Sequence, residues 1–306
     1  LSIINYQLSI INYQLSIIHG VIKIMVWEIG DFIQDKTYQI EDILGGGDFG
    51  ITYKATHLPS QETVVIKTPK EKLKDRQNYS WYVKRFLKES QLLAKVSETR
   101  HPHLVEFRDF FYEGERMCLV MEFIPGTSLY RWVRKYGPLP EQYAIICIRQ
   151  IASAISAMHK VGVVHRDAHP GNMILRLNPS GNTESFETTL IDLGHAGEIN
   201  CHAAVEAKIL GNKFFAPYEQ LYQRPGYQKP TVDVHALAGS LYYLLTQEYP
   251  PESYERRVNG VPLVPATSYN PNVSEQVNEA IIQGMAVMVS NRPQSVEEWL
   301  KLVPGG

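Results

Sequence analysis

The sequence predicts an α+β chain of two lobes, a small β-rich lobe followed by a larger and mainly helical one. Three observations carry this. Residues 38–123 hold short alternating or apolar runs with one helical interruption. Pro125 and Gly126 then break the pattern, and helical periodicity dominates from there to residue 303. With 306 residues, each lobe can bury a core of its own.

In chain order, strands are expected over Tyr38–Ile43, Ile51–Ala55, Thr63–Lys67, Leu104–Phe107 and Met117–Met121. A helix over 79–96 interrupts them, with Phe86, Leu87, Leu92 and Leu93 at helical spacing. The second lobe opens after Ile124. Pro140 and Glu141 start a helix whose buried stripe is Ile148, Ile151, Ile155 and Met158, and Gly162 follows its end. Further helices are expected over 231–246, 274–286 and 295–303. A cleft between two such lobes is a natural ligand site.

Residues 1–24 stand apart. The first eighteen are a near-perfect repeat of period seven, uncharged and rich in isoleucine. Ser, Asn and Gln interrupt it too often for a membrane span, and no basic residue precedes it as in a signal peptide. The tract is expected to lie outside the fold, with the working protein starting at Met25, the first methionine.

Composition excludes several roles. A formal net charge of −2 gives no general attraction to nucleic acid or to anionic membrane, and neither is expected as a partner. Cys118, Cys147 and Cys201 are widely spaced and odd in number, which points to a reduced, cytoplasmic protein without disulfides or a cysteine metal site. Cys201 reads as an ordinary thiol, with no resolving partner near it in sequence. Oligomeric state is not legible.

The chemistry arrives as an ordered set. Leu44, Gly45, Gly46, Gly47, Asp48, Phe49 and Gly50 form a glycine turn between two expected strands. Glycines let a backbone approach closely, so its amides can cover a triphosphate, although a glycine-rich hairpin alone has the same pattern. Lys67 ends an apolar strand, where a lysine can also simply reach for solvent. Glu89, on the expected helix, can pair with it and hold the ammonium against a nucleotide's inner phosphates. His165, Arg166 and Asp167 are followed by Asn172, and Asp192 and Gly194 come next. In this order, Asp167 can accept the proton of a substrate hydroxyl, while Asn172 and Asp192 offer oxygens to Mg²⁺.

On these motifs, residues 38–303 resemble the eukaryotic-like protein kinase domain, in the style of bacterial serine/threonine kinases. The resemblance implies the bilobal protein-kinase-like fold, with lobes at 38–123 and 124–303. It also implies ATP and Mg²⁺ (or Mn²⁺) as cofactors and protein substrates bearing Ser or Thr. Residue by residue, Gly45, Gly47 and Gly50 would cover the phosphates, and Lys67 would contact them while paired with Glu89. Met121 would be the gatekeeper beside the adenine, Glu122 and Ile124 would give backbone hydrogen bonds, and Thr52, Val65 and Ile174 would sandwich the base. Asp167 would be the catalytic base; Asn172 and Asp192 would hold the metal. Glu219 would meet Arg292 in a buried ion pair, and Asp233 would anchor the catalytic loop. Leu93, Phe107, His165 and Leu193 would stack as a spine through both lobes, so His165 is expected to be structural.

Three departures qualify the resemblance. His169 stands where serine/threonine kinases usually carry a lysine that neutralises the transferring phosphate. A protonated imidazole restores that charge. Activity is therefore expected to vary with pH across histidine's titration range, and His169→Lys to flatten the pH–rate profile; identical profiles would sink the idea. Residues 193–217 contain no Ser, Thr or Tyr, so activation is expected to proceed without phosphorylation there, with Glu198 or Glu206 facing Arg166 or a partner ordering the loop. Leu193 for phenylalanine is conservative packing. Two other readings stay open: a small-molecule kinase of the aminoglycoside or choline type, and a catalytically weak pseudokinase scaffold.

Overall fold

A computed structural model of the protein describes residues 27–46, 50–69, 79–177, 186–199, 211–222 and 229–305. The N-terminal repeat, Gly47, Asp48, Phe49, Cys201 and Glu206 lie outside the described residues.

The first lobe is a six-stranded sheet in the order β1-β2-β3-β4-β6-β5, antiparallel throughout. Its strands are β1 (Phe32–Ile33), β2 (Tyr38–Gly46), β3 (Gly50–His57), β4 (Glu62–Pro69), β5 (Phe107–Glu113) and β6 (Arg116–Glu122). Alternation decides which face each residue takes. In β4, Val64 and Ile66 turn into a small core with Ile40, Tyr53 and Ala55. Val65 and Lys67 therefore stand on the other face, opposite Met121 and Leu119 of β6.

The expected strand at Leu104–Phe107 is corrected: β5 begins at Phe107, where that stretch ends. Leu104 and Val105 are buried, but they serve the junction between the lobes. Leu104 makes a parallel bridge with Leu190, and the Val105 N–H donates to the Leu190 carbonyl at 3.0 Å. An apolar run of this length reads the same whether it joins a sheet or plugs a lobe interface.

Helix α1 (Tyr79–Ser97) carries the expected stripe, with Phe86, Leu92 and Leu93 buried. Beyond the linker come β7 (Thr127–Ser128) and α2 (Leu129–Tyr136), whose first turn is capped by Ser128 accepting the Arg131 N–H at 3.3 Å. Helix α3 (Glu141–Lys160) follows Pro140, and its predicted stripe is fully buried. Next are β8 (Val163–Val164), a 3₁₀ turn (Pro170–Asn172), β9 (Met173–Leu177), β10 (Phe186–Leu190) and β11 (Gly197–Glu198). The helices α4 (Tyr218–Tyr222), α5 (Thr231–Thr246), α6 (Ser253–Val258), α7 (Ala266–Tyr269), α8 (Glu275–Gly284) and α9 (Val296–Leu300) complete the lobe. The last two are shorter than the expected 274–286 and 295–303. Ser274 and Ser295 stand outside as N-caps, accepting the N–H groups of Val277 and Glu298.

Helix α5 is buried along its whole length and forms the centre of the second lobe. One continuous core joins it to Phe86 and Leu93 of α1. Antiparallel pairing of β9 with β10 sets Met173 opposite Leu190, and the Ile191 N–H donates to the Asn172 carbonyl at 2.9 Å. That register brings Asn172 and Asp192 side by side. Among the described residues, no helix is long and apolar enough to cross a membrane.

Candidate active site

Lys67 reaches from β4 into the cleft, where its ammonium meets Glu89 of α1 at 2.6 Å and Asp192 at 2.9 Å. Burial alone would lower the Lys67 pKa, but the Asp192 and Glu89 carboxylates outweigh it and the ammonium is held charged. The same burial pushes the Glu89 carboxyl above its ordinary value against the pull of Lys67. For Asp192 the balance reverses: Lys67 outweighs burial and holds the carboxyl down. The second oxygen of Asp192 accepts no hydrogen bond among the described residues, because Lys67 and the Gly194 N–H both use Oδ1.

Asp167 lies 8 % exposed at the floor of the cleft. Its Oδ1 accepts the Asn212 N–H at 3.2 Å. Its Oδ2 accepts the Asn172 amide at 3.0 Å and faces His195 Nδ1 at 3.1 Å and His169 Nε2 at 3.5 Å. Burial works to raise the Asp167 pKa; the hydrogen bonds from His169 and His195 overcome it and hold the carboxyl well below its usual range. Asp167 is thus an ionised acceptor at neutral pH. With Asn172 Nδ2 committed to Asp167, the Asn172 side-chain oxygen is left without a donor among the described residues. His169 caps the 3₁₀ turn by accepting the Gly171 N–H on Nδ1 at 3.0 Å, and its ring stacks on Phe215. Its position two residues after Asp167 is therefore also a structural one.

The loop that carries Asp167 is fixed from below. Asp233, at the start of α5 and fully buried, accepts the main-chain N–H groups of His165 at 2.8 Å and Arg166 at 2.7 Å, and pairs with His159 at 2.8 Å. Arg166 and Asp192 both adopt left-handed backbone conformations, φ +66 and +63, which non-glycine residues hold only when the surroundings enforce it. The family model for the protein kinase domain matches residues 38–300. The chain belongs to the protein kinase domain family.

Relatives of this kinase domain include the serine/threonine-protein kinase PkaA of Streptomyces coelicolor, 33% identical over 226 residues, covering 70% of this chain and 39% of that protein. Serine/threonine-protein kinase B of Synechocystis is 29% identical over 226 residues, covering 70% of this chain and 38% of that protein. PkaB of Streptomyces coelicolor is 29% identical over 267 residues, covering 85% of this chain and 61% of that protein. The chain thus spans 39% and 38% of the first two relatives it matches.

Several expected positions of the kinase domain come together in the cleft. Thr52 pairs with Lys67, Val65 with Met121, and Ile174 with Ser128 at the linker. Gly45 and Gly46 pair with Thr52 and Ile51 at the exposed end of β2, where Leu44 is 41 % exposed. An added Cβ at Gly45 would meet nothing within 4 Å, whereas one at Gly50 would lie 2.8 Å from the Thr68 carbonyl. The Glu122 N–H is already given to Glu106 at 2.9 Å, so a ligand there would meet its carbonyl. Leu93, His165 and Leu193 are buried and Phe107 packs against the same core. Glu219 and Arg292, 4 % and 3 % exposed, pair at 2.7 Å.

The Arg166 guanidinium donates to the main-chain carbonyls of His195 at 2.6 Å and Ala196 at 2.9 Å, while Glu198 stands exposed on β11 and Glu206, the other carboxylate expected to face it, lies outside the described residues. Sequence reasoning missed His195, Arg85 (which donates to the Gly194 carbonyl) and the role of the Asn212 main chain. No spacing rule ties any of them to Asp167.

Proposed function

We propose that this domain transfers the γ-phosphoryl group of ATP to serine or threonine hydroxyls of protein substrates. The observation that carries the reading is the convergence of Lys67, Glu89, Asp192, Asn172 and an ionised Asp167 in one cleft. The names of the relatives support serine and threonine as acceptors.

Each residue then has a task. Lys67, fixed by Glu89, holds the inner phosphates of the nucleotide, and Gly45 of β2 and Gly50 of β3 flank them. Met121, Thr52, Val65 and Ile174 bound the space for the base, with Glu122 and Ile124 offering main-chain groups. Asp167 accepts the hydroxyl proton as the hydroxyl oxygen bonds to the γ-phosphorus and the bond to the bridging oxygen of the leaving ADP breaks. The side-chain oxygens of Asn172 and Asp192 that no described residue engages are hard donors that suit Mg²⁺ or Mn²⁺. The ion, when bound, neutralises charge on the phosphate oxygens.

The test is transfer of labelled γ-phosphate from ATP, with Mg²⁺ or Mn²⁺, to a mixed protein substrate. Phosphoserine or phosphothreonine should form, and Asp167→Asn should lower kcat by about 10²–10⁴. Transfer that survives in Asp167→Asn, or that appears only on small molecules, would overturn the proposal.

A further inference from the structure

We propose that His195 is a positioning residue for Asp167: its Nδ1–H fixes one carboxylate oxygen and leaves the other, beside Asn212, to receive the substrate hydroxyl. This rests on the phosphoryl-transfer reading above. The geometry of the carboxylate carries the argument. An sp² oxygen offers two lone-pair directions. On Oδ2, Asn172 Nδ2 donates at 3.0 Å and His195 Nδ1 stands at 3.1 Å, while His169 Nε2, at 3.5 Å, is at the limit of hydrogen bonding. The closer imidazole is thus the one no kinase motif points to.

His195 is also placed firmly. Three consecutive carbonyls hold its segment: Gly194 accepts from Arg85 of α1, and His195 and Ala196 accept from Arg166 at 2.6 and 2.9 Å. A main-chain turn, Ala196 N–H to Leu193 carbonyl at 2.9 Å, closes beneath it. Arg166 is itself pinned through its N–H to Asp233. One guanidinium comes from each lobe, so the segment that carries the imidazole is held from both sides of the cleft.

The experiment compares His195→Ala with His195→Asn in the full chain, at saturating protein substrate. Asparagine places an amide nitrogen close to where Nδ1 sits and still donates. His195→Ala should lower kcat by about 10- to 100-fold with KM for ATP within about twofold, as expected for loss of a positioning contact and not of nucleotide binding. His195→Asn should recover most of that loss. A His195→Asn variant as slow as His195→Ala overturns the proposal, as does an unchanged kcat in both or a change confined to KM. A wild type without transfer would defeat the kinase reading alone. Ring-nitrogen NMR still decides the contact in that case. Nδ1–H in the wild type, reverting to Nε2–H in Asp167→Ala, supports it, and Nε2–H in the wild type overturns it.

Discussion

Arg292→Met is expected to destabilise the fold by about 3–5 kcal/mol, because it leaves a buried carboxylate without its cation. The pair is closed on all sides. Nη1 of Arg292 donates to Glu219 at 2.7 Å and to the Thr231 carbonyl at 2.8 Å. Nε and Nη2 both donate to the Ala286 carbonyl, at 3.1 and 3.0 Å. One side chain therefore ties α4 to the start of α5 and to the turn after α8. Methionine fills similar volume and supplies none of these donors. Glu219→Gln is the milder change, about 1–3 kcal/mol, since a neutral amide still offers an acceptor. Combining Glu219→Gln with Arg292→Met should cost less than the sum, because the stranded charge is gone. Urea unfolding of the three variants reads this out directly. A loss below about 1 kcal/mol for Arg292→Met would contradict the argument, as would strict additivity in the pair.

On the proposed function, Lys67→Met is expected to lower kcat/KM by about a hundredfold or more, through loss of the cation assigned to the phosphates. It should also give stability an unusual dependence on pH. In the wild type, burial already raises the Glu89 carboxyl while Lys67 pulls it down. Without Lys67 the pull is gone, so the folded variant keeps Glu89 protonated to higher pH than the unfolded chain does. A raised carboxyl contributes stability below its unfolded value and loses it as pH climbs through the folded value. The variant's melting temperature should therefore fall relative to wild type as pH rises from about 5 to about 8. Asp192 adds to the effect in the opposite protein. Its depressed carboxyl stabilises the wild type above the ordinary carboxylate range, with loss only on acidification, and that contribution needs Lys67. Parallel melting curves across this range, or a kcat/KM drop under tenfold, would refute the account of this triad.

Much of the site was legible because kinase chemistry is written in local strings. His165 through Asn172 lies on one short loop, and Asp192 follows a strand paired with the one after it. Of the pairs across the fold, Lys67 with Glu89 was reachable from the strand end and the expected helix, whereas Glu219 with Arg292 was reachable only through the family resemblance. His195 was not reachable at all. It is one of ten histidines, and what distinguishes it is a 3.1 Å approach to a carboxylate 28 positions earlier, on a segment held by two arginines from other elements. The misplaced strand at Leu104–Phe107 failed for a related reason: apolar content reports burial, not which partner does the burying. Helix α2 escaped notice because its eight residues fall short of the window over which a helical period is read, although Ser128 before Leu129 was a usable start signal.

Asp233 has a mechanical consequence. By gripping two successive N–H groups of the loop that bears Asp167, it makes that loop part of the same rigid block as α5. In the proposed reaction the hydroxyl-accepting side is then a fixed jaw. Lys67 and Glu89 belong to the other jaw, built on β4 and α1, and the Lys67–Asp192 contact ties them across the gap beside the Arg85 bond to the Gly194 carbonyl. Opening the cleft about the linker moves the phosphate-holding groups away from Asp192 while Asp167 and Asn172 keep their mutual spacing. Whatever loosens the upper jaw should weaken the grip on nucleotide first and leave the proton acceptor in register.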